Sequence, residues 1–221
     1  MNIFKDSRGS HASMGNRAAT ELFSEWADAG RDEGMQRGHT ASVDAMLELL
    51  LKGRDTPFTA IDIGCGNGWV VRRLQQHPLC LQASGVDGAP SMIAKAKSVD
   101  PEGDYVEAML PEWKPTNPVD LIHTMECLYY LHDPLGFLTV LHDEWMNPGG
   151  KLVIGVDHYR ENPSSLDWGV SLEVHMTTLS IAEWTEGLTR AGFECVEARQ
   201  VGAKEAWAGT LVLTASRPLA Q

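Results

Sequence analysis

The stretch Ala60-Ile61-Asp62-Ile63-Gly64-Cys65-Gly66-Asn67-Gly68 constrains this chain more than any other. A short apolar run of strand character leads straight into three glycines at alternate positions, and a helix-like run, Trp69–Gln76, follows. Glycine there lets the backbone turn tightly and lets a ligand approach the main chain. The helix start behind the turn offers free N–H groups.

The chain beyond it keeps alternating. Strand-like runs are Ala60–Ile63, Ala83–Val86, Tyr105–Val106, Val119–Thr124, Lys151–Val156, Phe193–Gln200 and Thr210–Ser216. Helix-like runs between them are Trp69–Gln76, Pro90–Ser98, Pro134–Trp145 and Ser180–Ala191. Pro90 and Pro134 fall where a first helical turn tolerates proline. Pro148-Gly149-Gly150 ends a helix and turns into the next strand. This order predicts an α/β fold with seven strands, mostly parallel, and helices on both faces. Only Val201–Gly209 separates the final two strands, too little for a helical crossover, so the last strand should be antiparallel. Upstream, 18–29 and 41–52 read as helices, the second with Val43, Met46, Leu47, Leu50 and Leu51 on one face. The stretch between them, Gly30–His39, carries too many glycines for a helix. Residues 1–17 are polar and read as a disordered segment. Residues 18–221 make a single domain, with a helical cap at 18–52.

Composition removes several classes of function. A chain of 221 residues suits one domain. No run of 18 apolar residues exists, so no membrane span is expected. The N-terminus lacks the apolar core of a secretory signal, which leaves the cytoplasm as the expected compartment. Cys65, Cys80, Cys127 and Cys195 are scattered, so neither a disulfide framework nor a zinc or other metal site is expected. The net charge of −12 opposes a nucleic-acid partner.

The glycine spacing then narrows the ligand. A dinucleotide fingerprint would read G-x-G-x-x-G, with glycine at position 69. That position is Trp69, and the spacing is G-x-G-x-G. Asp62, two residues before Gly64, would repel a pyrophosphate and attract an ammonium group. Asp87 ends the second strand, 19 residues after Gly68, where a carboxylate can accept both hydroxyls of a ribose. The competing role for Asp87 is to cap the helix that starts near Pro90.

These pieces resemble the class I S-adenosylmethionine-dependent methyltransferases. The matching motifs are Asp62–Gly68, Gly85-Val86-Asp87, Gly103–Ala108, Val119–Leu128 and Pro148-Gly149-Gly150, spread over residues 58–216. The resemblance implies a Rossmann-like fold, S-adenosyl-L-methionine as methyl donor and S-adenosyl-L-homocysteine as product. It implies that Asp62 faces the methionine ammonium, and that Gly64, Cys65 and Gly66, with Gly68 and Trp69 closing the turn, line the methionyl and ribose part. Asp87 and Gly88 would hold the ribose, with Ala89 or Met92 beside the adenine. Glu107 and Ala108 would meet the adenine amino end, and Thr124 and Met125 would lie beneath the sulfonium.

Methyl transfer from a sulfonium is an in-line displacement, so the protein's main task is positioning. A base matters where the nucleophile arrives protonated. Candidates lie in three segments: Trp26, Met35 and His39; Glu126, Tyr129, Tyr130 and His132; and His158, Tyr159, Trp168, Glu173 and His175. Of these, Glu126, His175, His39 and Tyr130 are the expected catalytic residues. Each also has a plainer role, as packing, cap or surface group. The insertion 157–178 has no clean period and is too apolar for disorder, so it reads as a lid over the acceptor. The aromatic content suits a small-molecule acceptor. The alternatives are a protein or RNA methyltransferase, a non-catalytic S-adenosylmethionine-binding module and a nicotinamide oxidoreductase.

Overall fold

The structure is a computed structural model that describes residues 17–220. The expected disorder of residues 1–17 falls outside them except at Arg17. That residue is anchored: its N–H donates to the Glu173 carbonyl, and it bridges Val174.

Seven strands form one sheet in the order β3-β2-β1-β4-β5-β7-β6. They are β1 Phe58–Ile63, β2 Cys80–Asp87, β3 Asp104–Glu107, β4 Val119–Met125, β5 Met146–Val156, β6 Glu194–Val201 and β7 Thr210–Ser216. The first five pair in parallel, and β7 inserts antiparallel between β5 and β6. The mostly parallel sheet and its antiparallel last strand are as the sequence predicts.

Period-two alternation sorts the strand residues onto two faces. Ile61, Ile63, Ile122, Leu152 and Ile154 pack with α5 (Pro134–Val140) and α7 (Ile181–Arg190). Ala60, Leu121, Val153 and Val212 pack with α2 (Asp32–Leu51) and α3 (Trp69–Gln75), a cluster that also takes in Ile93 and Ala96 of α4 (Pro90–Val99). The helix expected over Pro134–Trp145 splits: α5 ends at Val140 and a π-type turn carries Leu141–Trp145. A short α1 (Ala19–Asp28) leans on α4, and α6 (Trp168–Leu172) lies inside the 157–178 insertion.

The glycine-rich stretch before residue 41 corrects the sequence reading. It is helical from Asp32 onward, so α2 runs 20 residues through Gly34 and Gly38. Each interior glycine costs a helix about 1 kcal/mol relative to alanine. A buried anchor offsets that cost. Asp32, only 3% exposed, accepts from Lys95 Nζ at 2.7 Å and from Asn67 Nδ2 at 2.8 Å. The start of α2 is therefore tied to α4 and to the glycine turn.

Candidate active site

Strand order reverses between β1 and β4, and open α/β sheets bind ligands outside the carboxyl ends of strands at such a switch point. A cavity of about 680 Å³ lies there. Its floor is the ends of β1, β2 and β4, and α1 and α2 contribute to its walls.

One part of the cavity is made by the glycine turn. Gly64 has φ +72°, and a Cβ there would fall 2.6 Å from Cys127 Cβ. Gly68, at φ +77°, caps α3 beneath the Tyr105 ring and does not line the cavity. Asp87 Oδ2 accepts from Gly66 N–H at 2.9 Å and Oδ1 from Ala89 N–H at 2.8 Å. The two readings of Asp87 are thus compatible: it braces the turn and the start of α4 while lining the cavity. Burial pushes its carboxyl up, and the two N–H donors only partly oppose that. Asp62 is 2% exposed and bonds His123 Nδ1 at 2.7 Å through Oδ1. The two stand side by side in register on β1 and β4 and both line the cavity. His123 Nε2 has no hydrogen-bond partner among the described residues.

The expected cofactor residues divide. Asp62, Gly64, Cys65, Gly66, Trp69, Asp87, Gly88, Met92 and Met125 line the cavity. Glu107, Ala108 and Thr124, like Gly68, do not. Glu107 is exposed at the end of the edge strand, and Met109 and Leu110 take the wall position instead. Ala108 N–H is used by the Asp87 carbonyl. Thr124 fails by alternation: His123 and Met125 share the α2 face, and Thr124 points to the opposite one.

A second part of the cavity is assembled from distant segments. Glu126, His39, Tyr130 and His175 all line it, so the four expected catalytic residues are brought to one space. Glu126 leaves β4 at φ +56°, a conformation uncommon outside glycine and enriched at functional sites. Its carboxylate accepts from Tyr129 Oη at 2.7 Å and from the Asp157 N–H. Asp157 follows β5 on the α2 face and lies 3.6 Å from His39 Nε2 through Oδ2. Ligand atoms of His39, Glu126 and Asp157 lie within 4.8 Å of one another. Burial and the Asp157 charge push the Glu126 carboxyl up to about 8. Burial opposes charge on His39, but Asp157 and Glu126 outweigh it and hold the imidazole above its ordinary value. The His175 and His132 rings lie 3.9 Å apart and tilted, and burial plus that neighbour holds His175 low.

Most of the insertion stays outside. Of residues 157–178, only His175 reaches the cavity lining. His158 is held by the Ser165 carbonyl and Thr178 Oγ1, and Tyr159 by the Gly209 carbonyl. Trp26 also misses the lining, while its neighbour Phe23 reaches it and meets Tyr130 edge-on at 5.4 Å. Sequence reasoning missed His123, Asp157 and Phe23. For His123 a signal existed, since β4 alternation puts it on the same face as Leu121.

The donor chemistry of this site can be tested against S-adenosylmethionine. A buried carboxylate at Asp62 suits an ammonium, Asp87 retains acceptor capacity for ribose hydroxyls, and nothing but Met92 Sδ, at 3.8 Å, stands near a Cβ built on Gly66. The residues fit.

Comparison with known proteins agrees. A methyltransferase domain family model matches residues 32–198. Trans-aconitate 2-methyltransferase of Escherichia coli is 35% identical over 101 residues, 39% of this chain and 40% of that protein. The chain thus matches well under half the length of the curated relatives. A Haloferax volcanii methyltransferase, solved with the Trm112 methyltransferase activator, superposes with TM-score 0.77 at 25% identity, over 89% of this chain and 97% of that one. DhpI, solved with S-adenosylhomocysteine, gives TM-score 0.68 at 22% identity, over 92% and 97%.

Proposed function

The chain belongs to the S-adenosylmethionine-dependent methyltransferases, and on that premise we propose that it methylates a small-molecule acceptor held between α1, α2 and the exit of β4. The observation that carries this reading is the cavity itself. One space of about 680 Å³ holds both the glycine-turn groups and a separate set of half-buried polar and aromatic groups, within the range of small-ligand pockets.

In this reading Asp62, fixed by His123, takes the methionine ammonium, and Asp87 takes the ribose. The backbone of Gly64–Gly66 lies along the chain between them, with Trp69, Gly88, Met92 and Met125 as walls. S-adenosylmethionine supplies an electrophilic methyl group. Glu126, His39, Tyr130 and His175 orient the acceptor, and Phe23 packs beside it. The helical cap at 18–52 supplies the outer wall, and the insertion contributes through His175 alone. Trans-aconitate is a poor fit as acceptor. A tricarboxylate needs cations, and the sole lysine or arginine among the described lining residues, Arg17, is bound to Glu25 at 2.7 Å.

The test is calorimetry with S-adenosylhomocysteine, followed by transfer of labelled methyl into a metabolite extract. Micromolar binding and label in small molecules are expected. Label confined to protein or RNA would overturn the small-molecule reading.

A further inference from the structure

Resting on that reading, we propose that the acceptor is a small amine, which binds as an ammonium ion at Glu126 and is methylated on nitrogen. Three observations lead there. First, two carboxylates share one corner. Glu126 lines the cavity, and Asp157 stands behind it at 6% exposure with Oδ1 lacking any hydrogen-bond partner among the described residues. Like charges in a desolvated site resist ionisation, which holds the Glu126 carboxyl up, and a cation beside them lets both ionise. Second, the cationic groups of the wall are already engaged. His39 lies 3.6 Å from Asp157, and Arg17 is taken by Glu25 and the Leu172 carbonyl. Third, Tyr130 and Phe23 meet edge-on where they line the same space. Aromatic faces attract ammonium groups.

An alcohol gives Glu126 no counter-charge, so its carboxyl stays raised beside Asp157, and a carboxylic acid acceptor would add a further negative charge. An ammonium ion supplies the missing charge and three N–H donors. The chemistry balances. The ammonium gives one proton to the Glu126 carboxylate and becomes a neutral amine. Its lone pair forms the N–C bond as the C–S bond breaks and that electron pair returns to sulfur. The product leaves as an N-methylammonium ion, carrying the positive charge the sulfonium brought, and the proton on Glu126 is released to solvent. Tyr129 Oη and the Asp157 N–H hold Glu126 in place for this step.

The experiment uses the full chain saturated with S-adenosylhomocysteine. Calorimetry compares panels of primary amines, alcohols and carboxylates matched in carbon skeleton, starting from 2-phenylethylamine, 2-phenylethanol and phenylacetate. Amines should bind at least about tenfold tighter than their partners. Glu126→Gln should remove that preference while leaving S-adenosylhomocysteine affinity within about threefold. Asp157→Asn should weaken amines by a smaller factor, which keeps the test alive if Glu126→Gln fails to fold. Labelled methyl should appear in products as N–CH3. Tighter binding of alcohols or carboxylates overturns the proposal, as does label in O–CH3, or no amine bound up to about 10 mM. Activation by manganese that vanishes in Asp157→Asn would assign the His39–Glu126–Asp157 corner to a metal ion and also overturn it. Loss of S-adenosylhomocysteine binding itself would instead count against the methyltransferase reading.

Discussion

The two ends of the cavity are built in opposite ways. The donor end comes largely from one continuous unit, β1, the glycine turn and β2, and its contacts are mostly main chain or carboxylate to main chain. The acceptor end brings together side chains from α1, α2, the exit of β4 and His175, far apart in sequence. A local unit needs few partners to form, so its geometry survives changes elsewhere. A composite wall depends on every element that docks. A single substitution should therefore abolish cofactor binding at the first end and only retune the pocket at the second.

The largest effect is expected at Asp62. Asp62→Ala removes the carboxylate proposed to take the ammonium and leaves His123 buried without either ring nitrogen bonded. Losing one side of a buried charge-assisted contact costs about 2–5 kcal/mol, so S-adenosylhomocysteine affinity should fall by about 100-fold or more. Calorimetry reads this directly, and a loss under about threefold would break the assignment of the donor end. Gly64→Ala comes next. At φ +72°, with Cys127 Cβ 2.6 Å from the new methyl, it should destabilise the fold by about 2–4 kcal/mol and reduce cofactor affinity with it. An unchanged thermal midpoint would show that the turn relaxes and is less rigid than its glycines imply.

The contrast also explains what the sequence disclosed. Ala60–Ile63, the glycine spacing, Asp62 and Asp87 lie within one βαβ unit, where periodicity and turn chemistry act at short range. Both ends of Thr210–Ser216 and the antiparallel last pair followed from strand character and a short connection. Glu107 and Thr124 were misplaced because motif position does not reveal which way a side chain faces: the edge strand leaves Glu107 in solvent, and alternation turns Thr124 to the other side. The start of α2 was hidden because Gly34 and Gly38 argue locally against a helix, while Lys95 and Asn67, distant in sequence, hold Asp32. The acceptor corner was half legible. Glu126 and His39 could be proposed as candidate types, but Asp157 joins them only after β5 has been placed beside β4.

Asp32 tests the link between the two ends at moderate cost. Burial works against its charge, but hydrogen bonds from Lys95 and Asn67 prevail and hold the carboxyl below its ordinary value. A carboxyl depressed in the folded state contributes stability above its unfolded value and loses it as pH falls through the folded one. Acid unfolding should therefore be steeper for the native chain than for Asp32→Asn, and the variant should lose about 1–2 kcal/mol near neutrality. Because Asn67 sits in the glycine turn, the same substitution should also loosen cofactor binding by a few-fold. Equal acid midpoints for the two proteins would show that α2 is held by its apolar face alone.

The smallest effect is expected far from both ends, on α7. Ser180 Oγ accepts from Glu183 N–H at 3.1 Å, and Glu183 Oε2 accepts from Ser180 N–H at 2.7 Å, a complete capping box. Ser180→Ala removes one half of it and should cost about 1 kcal/mol. The helix buries Trp184 and Leu188 on the sheet face opposite α2, and neither lines the cavity. Stability should therefore fall while S-adenosylhomocysteine affinity stays the same. Parallel loss of both would mean that the faces of the sheet are energetically coupled, so that even the locally built donor end depends on packing behind it. Denaturant melts with and without S-adenosylhomocysteine separate the outcomes: an unchanged ligand-induced gain in midpoint places the damage in α7 alone.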